Sequence, residues 1–340
     1  MGPVARVVEG PERTATVAET PAWQVWTALW TVYLVWGSTY LAIRVAVETL
    51  PPMLHAGVRF LAAGVVMYGF LRFKLGRERV SVTRRQLGAC ALIGAALLVG
   101  GNGVVAIAEQ EVPSSLAALI IASVPLWVVV MRVLTGERVA RATLGGLAVG
   151  FAGVALLLMP GTSGGVPLWG QSLLVLASLS WAAGSFFSKR VPLPDNPFVS
   201  TALQMLCGGG ILVVASVVTG EAFSVEPESF SAASLAALAY LVLVGSLGGF
   251  TAYTWVLQHA PISKVSTYAY VNPVVAVFLG WLILSERITP AIVVGATVIV
   301  ASVASIVRQE AADRSRERSA AAASADPHVH DPGVEAPARG

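Results

Sequence analysis

Residues 102–125 read NGVVAIAEQEVPSSLAALIIASVP, and residues 250–273 read FTAYTWVLQHAPISKVSTYAYVNP. Set 148 positions apart, Gln110 meets Gln258, Pro113 meets Pro261, Ser115 meets Ser263 and Pro125 meets Pro273. Each stretch then runs on to a Glu-Arg pair, Glu137-Arg138 and Glu286-Arg287, with one residue of slippage. Further back, Gly37-Ser38 corresponds to Gly184-Ser185, shortly after Trp36 and Trp181. Pro52, Arg59 and Gly64 correspond at constant spacing to Pro197, Gln204 and Gly209. Matches kept in register over several segments mark an internal duplication.

The segments that repeat are apolar. Of 340 residues 56% are hydrophobic and only 12% charged, and the mean hydropathy is +0.74. A soluble domain carries about 25% charged residues, so this chain needs lipid as its solvent. A helical span takes about 20 apolar residues, because only a helix satisfies its own backbone in hydrocarbon. Ten such segments lie near 25–47, 53–73, 87–108, 114–134, 144–160, 169–188, 198–219, 233–258, 264–284 and 290–307. Residues 1–22 mix charges with prolines and do not read as a signal peptide. That segment and 308–340, which lacks apolar periodicity, are expected to be unstructured tails.

The basic residues orient the spans. Of 22 Lys and Arg, 19 fall in the tails and alternate loops of one side. Arg287 alone falls on the other, and Arg44 and Arg59 lie inside spans. Both termini are therefore expected in the cytoplasm. Five spans per repeat is an odd number, so the second half (169–307) is expected upside down relative to the first (23–160). Inverted repeats of this kind are built into secondary transporters, whose substrate sites lie near the midplane between the halves.

Three stretches add a resemblance. WGSTYLAIRVAVETLPPMLHAGVRFLAAG (36–64), GNGVVAIAEQEVPSSLAALI (101–120) and STYAYVNPVVAVFLG (266–280) resemble the EamA family of the drug/metabolite transporter superfamily. The resemblance covers roughly 25–307. It implies an all-α integral membrane fold of ten helices in two inverted five-helix repeats. It also implies a multi-pass protein of the bacterial inner membrane, and efflux of amino acids or other small metabolites.

Polar groups inside hydrocarbon are costly and face a cavity or a partner. Arg59, seven residues past Pro52, is a fixed positive charge suited to a substrate carboxylate. The alternative is a structural ion pair with Glu48, Glu109 or Glu111. Arg44 stands four residues before Glu48 and can pair with it along one helix face. Trp36, Tyr40 and Arg44 form one stripe on the first span, beside Gly37 and Ser38. Asn102 sits between two glycines, Gln204 is the repeat equivalent of Arg59, and Asn272 precedes Pro273, whose ring frees a carbonyl. The substrate-path candidates are thus Trp36, Ser38, Tyr40, Arg59, Asn102, Trp181, Gln204 and Asn272. Glu109 and Glu48 are the candidates for proton coupling, with a wet loop as the alternative for Glu109.

Other classes find little support. No G-x-x-x-x-G-K-[ST] phosphate loop and no H-E-x-x-H zinc motif occurs. Only His55 and His259 lie near the membrane, while His328 and His330 fall in the terminal tail. Neither a catalytic centre, a metal, a cofactor nor a nucleic-acid partner is expected. Cys90 and Cys207 lie in different spans and read as apolar filler. The expected partners are a small-molecule substrate and the bilayer, with a homodimer left open. The competing reading is a membrane-embedded flippase or enzyme acting on a lipid head group.

Overall fold

The computed structural model describes residues 20–159 and 165–324. Among them the chain forms ten long helices and no strand. These are α1 (Ala22–Ala46), α2 (Pro52–Leu75), α3 (Arg84–Ala108), α4 (Ser114–Leu134) and α5 (Arg141–Leu158). The second set is α6 (Leu168–Phe187), α7 (Pro197–Val218), α8 (Ala232–His259), α9 (Tyr268–Leu284) and α10 (Pro290–Ser324). Eight of them, all but α1 and α9, are long and apolar enough to cross a membrane. α9 has 17 residues. α1 has 25, but its tryptophans, tyrosines and threonines dilute its apolar character.

Local chemistry sets the helix ends. Pro52 and Pro197 open α2 and α7, where a missing N–H costs nothing. The Asn196 side chain accepts from the Phe198 N–H at 2.9 Å, capping α7. Thr83 and Gln86 form a reciprocal capping box before α3. Inside α3 the residues Ala95–Gly103 are wound as a π-helix, and Leu241–Gly248 do the same inside α8. Such widened turns are uncommon and concentrate at functional sites.

The helices pack α2 on α7, α5 on α10, α1 on both α8 and α9, and α6 on both α3 and α4. The α2–α7 crossing brings backbone against backbone. A Cβ at Gly57 would lie 2.9 Å from the Val213 nitrogen, and one at Gly209 would lie 2.7 Å from the Leu61 nitrogen. Close approach through glycine is how helices associate in lipid, where apolar burial offers no net drive. Outward faces carry Leu34, Val65, Leu92, Val214 and Ile283, each more than half exposed. That apolar belt suits an acyl-chain solvent.

Two expectations change. α10 does not stop at 307 but continues as helix to Ser324. The segment after Arg308 is alanine-rich, and alanine favours helix without any core to bury. Glu310 also ties it back, accepting from Arg132 at 2.6 Å. Arg44 does not pair with Glu48. Its Nη1 donates instead to the carbonyls of Glu109 and of Gln110, the latter at 2.7 Å. The remaining tail residues, 1–19 and 325–340, lie outside the described residues.

Candidate functional site

A cavity of about 90 Å³ opens between the helices of the two halves. Six of the eight residues singled out from the sequence line it: Trp36 and Tyr40 from α1, Arg59 from α2, Asn102 from α3, Trp181 from α6 and Asn272 from α9. The π-helical turn of α3 carries Asn102, whose side-chain amide donates to the Leu97 carbonyl five residues back. Its flanking glycine Gly101 lets Trp181 lie close, since a Cβ there would stand 3.1 Å from the indole.

Arg59 is buried at 3% exposure. Its Nε donates to the Ser246 hydroxyl at 2.9 Å, and the guanidinium lies 4.7 Å from the Phe60 ring centre. No carboxylate forms an ion pair with it among the described residues. A buried guanidinium held by one hydroxyl is short of counter-charge, and its terminal nitrogens suit a bidentate carboxylate.

The same cavity is lined by residues that carry acceptors. The Asn272 Oδ1 is buried and accepts no hydrogen bond among the described residues. One residue on, Pro273 has no N–H to give to the Ala269 carbonyl, and Ala269 also lines the cavity. An ammonium would satisfy both oxygens. Donor and acceptors in one cavity therefore complement a small molecule carrying a negative and a positive group.

An aromatic wall, not evident in the sequence, flanks the cavity. Trp36 meets Phe250, Tyr253 and Tyr268 at ring-centre distances of 5.2, 4.9 and 5.6 Å. Phe250 and Tyr268 line the cavity. Both lie within the stretch 250–273, but their repeat counterparts, Asn102 and Ile120, are not aromatic, so the repeat carries no signal for the cluster. Ser38 and Gln204 stand elsewhere. Ser38 bonds the Tyr240 hydroxyl at 2.6 Å and seats α1 on α8. Gln204 donates to Ser200 at 2.9 Å on its own helix, and its carbonyl abuts Gly94 of α3.

Of the acidic candidates, Glu48 is exposed at the turn after α1. Glu109 is wholly buried just past α3, and neither carboxyl oxygen has a hydrogen-bond partner among the described residues. Burial, and then the neighbouring charge of Glu286, push its carboxyl well above the usual carboxylate range, against the opposing pull of Arg44 and Arg59. No group of three or more metal-ligating side chains occurs among the described residues.

Eight membrane-length apolar helices and a cavity holding a buried guanidinium define the class: a polytopic helical membrane protein. Comparison with known proteins agrees. The model of the EamA-like transporter family matches residues 25–159 and again 168–308, and the chain belongs to that family. It is 41% identical over 254 residues to the uncharacterized inner membrane transporter YedA of Escherichia coli K12, covering 74% of this chain and 80% of that one. It is 24% identical over 296 residues to a probable amino-acid metabolite efflux pump of the same organism, covering 79% and 89%. A solved structure of 21% identity superposes with a TM-score of 0.56 over 83% of this chain and 95% of the other. That last likeness is one of fold.

Proposed function

We propose that the chain is a secondary transporter of the inner membrane that exports a small anionic or zwitterionic metabolite, an amino acid or a close relative. The observation that carries this reading is Arg59, a buried guanidinium in the cavity with Ser246 as its one side-chain hydrogen-bond partner and no ion pair among the described residues. The substrate carboxylate would take the terminal nitrogens of Arg59. The substrate ammonium would take Asn272 Oδ1 and the Ala269 carbonyl.

The mechanism in this reading is alternating access by two inverted five-helix halves, with ten spans and both termini in the cytoplasm. Three observations support it. The π-helical turns of α3 and α8 start 146 positions apart, close to the sequence offset. The helix pairs α2–α7 and α5–α10 each join repeat equivalents. The pairs α1–α9 and α4–α6 exchange under the same correspondence. Glu109 is the proposed coupling group. Buried, it keeps a proton; opened to water, its carboxyl returns to about 4.3 and releases it.

The test compares the extracellular metabolites of cells lacking the protein, cells overproducing it, and cells overproducing Arg59→Ala. The expected result is one zwitterionic or anionic metabolite enriched outside only with the intact protein. Equal enrichment by a normally inserted Arg59→Ala protein would refute the anion site. A change confined to lipids would instead favour the head-group reading.

A further inference from the structure

α9 ends in an unusual turn. Ser285 takes φ 54°, a left-handed conformation that residues with a side chain rarely adopt. The Glu286 N–H then bonds back to the Gly280 carbonyl at 3.1 Å. The turn aims the Glu286 side chain at the start of α4. Its Oε1 accepts from the Ser114 N–H at 2.7 Å and from the Ser114 hydroxyl at 2.8 Å, and its Oε2 accepts from the Ser115 N–H at 2.9 Å. Glycine at 280 makes the room, since a Cβ there would lie 2.5 Å from Oε2. Three charge-assisted bonds join the second half of the chain to the first.

The first half repeats the turn with a different outcome. α4 is followed by Gly136 at φ 82°, then by Glu137, whose N–H bonds back to the Arg132 carbonyl at 2.9 Å. By the repeat, Glu137 stands where Glu286 stands, and its counterpart of Ser114–Ser115 is the start of the short helix Ile262–Val265 before α9. Glu137 is turned elsewhere. It accepts from Arg132 at 2.8 Å and from Arg190 at 2.9 Å.

Burial follows the same division. From Ser114 to Ala122 every residue is buried, whereas from Lys264 to Val271 only Val265 is. Arg44, holding the Glu109 and Gln110 carbonyls, closes the same end as Glu286.

We infer that Glu286 and Glu137 are alternating clasps, one for each mouth of the cavity, and that this structure holds the Glu286 clasp shut and the Glu137 clasp released. The proposal rests on the alternating-access reading above. When the halves rock, Glu286 leaves Ser114 and Ser115. Glu137 then exchanges Arg132 and Arg190 for the backbone N–H groups that open the 262–265 helix. Each state gains the bonds that the other loses, so neither mouth is tightly locked.

The experiment uses the full chain in vesicles, with Ala118→Cys as reporter. Ala118 lines the cavity one turn beyond Ser114 and is buried in this state. A membrane-impermeant maleimide is applied from the Ser114 side, and the labelling rate is corrected for the parent's own cysteines. Glu286→Gln, and independently Gly280→Ala, which leaves the charge and removes its seat, should each raise the rate about tenfold. Glu137→Gln should lower it, because the exposed ion pairs it gives up in this state are worth less than the backbone clasp it gives up in the opposite one. Glu137 is partly exposed, so that variant keeps the test alive if the other two fold poorly. Unchanged rates, or a shift of the same sign from Glu286→Gln and Glu137→Gln, would overturn the proposal. Opposite shifts without any amino-acid flux would leave the clasps standing and remove the substrate reading. Flux with unaltered labelling would do the reverse.

Discussion

Arg59 and Asn272 behave in opposite ways toward their surroundings, and together they limit what fits between them. The guanidinium offers donors without a carboxylate to use them, and the amide oxygen offers an acceptor without a donor. Both residues were legible in the sequence, because Arg and Asn inside apolar runs have few cheap explanations. The aromatic wall was less so, since Phe250 and Tyr268 look like ordinary packing until Trp36 is seen against them. Glu109 was harder still. Its neighbours Gln110 and Glu111 are exposed, and only the Arg44 bonds to the loop carbonyls explain why Glu109 alone is folded inward. Around it stand Tyr40 and Arg44 of α1, Arg59 of α2, and Glu286 after α9. The raised carboxyl keeps its proton in this state, so rising pH removes the proton and disfavours the state. Transport by the parent should therefore slow as the pH rises, while Glu109→Gln stays flat. A variant with the parent's pH profile would exclude Glu109 as the coupling group.

Among the elements, α2 and α7 are joined most rigidly, because glycine replaces side chains at their crossing. Gly209 faces the Leu61 nitrogen and the Gly57 carbonyl, neither of which can move without shifting a helix. Gly209→Ala should therefore lower the melting temperature in detergent and the yield of monodisperse protein. The control is Gly210→Ala, with nothing within 4 Å of its Cβ, which should be neutral. Equal melting of the two variants would contradict this packing. The repeat alignment matched Gly64 with Gly209 as equivalents, but it carried no sign that the two helices pack on each other. It did not reveal the π-turns, in the first of which Gly101 and Gly103 lie close against Trp181 and Leu212. Glu286 was read from the sequence only as a span boundary, since its capping partners are 172 and 171 residues away. α10 was cut short because burial alone was asked of residues 308–324, whereas alanine-rich chain needs little more than its own backbone bonds to be helical.

The molecule as a whole is two similar sets of helices around one cavity, with 19 of 22 basic residues assigned to one side by the proposed topology. A reporter fused to either terminus should accordingly be reached by impermeant reagents only from the cytoplasmic face. A periplasmic C-terminus would contradict the even number of spans. The central claim is that the cavity takes a solute through its carboxylate. The most direct measurement is uptake of radiolabelled amino acids, tried singly, into proteoliposomes containing the parent or Arg59→Ala. The expected result is saturable uptake of at least one zwitterion by the parent and its loss in a normally reconstituted Arg59→Ala protein. Uptake that survives the substitution at the parent's rate would contradict the claim.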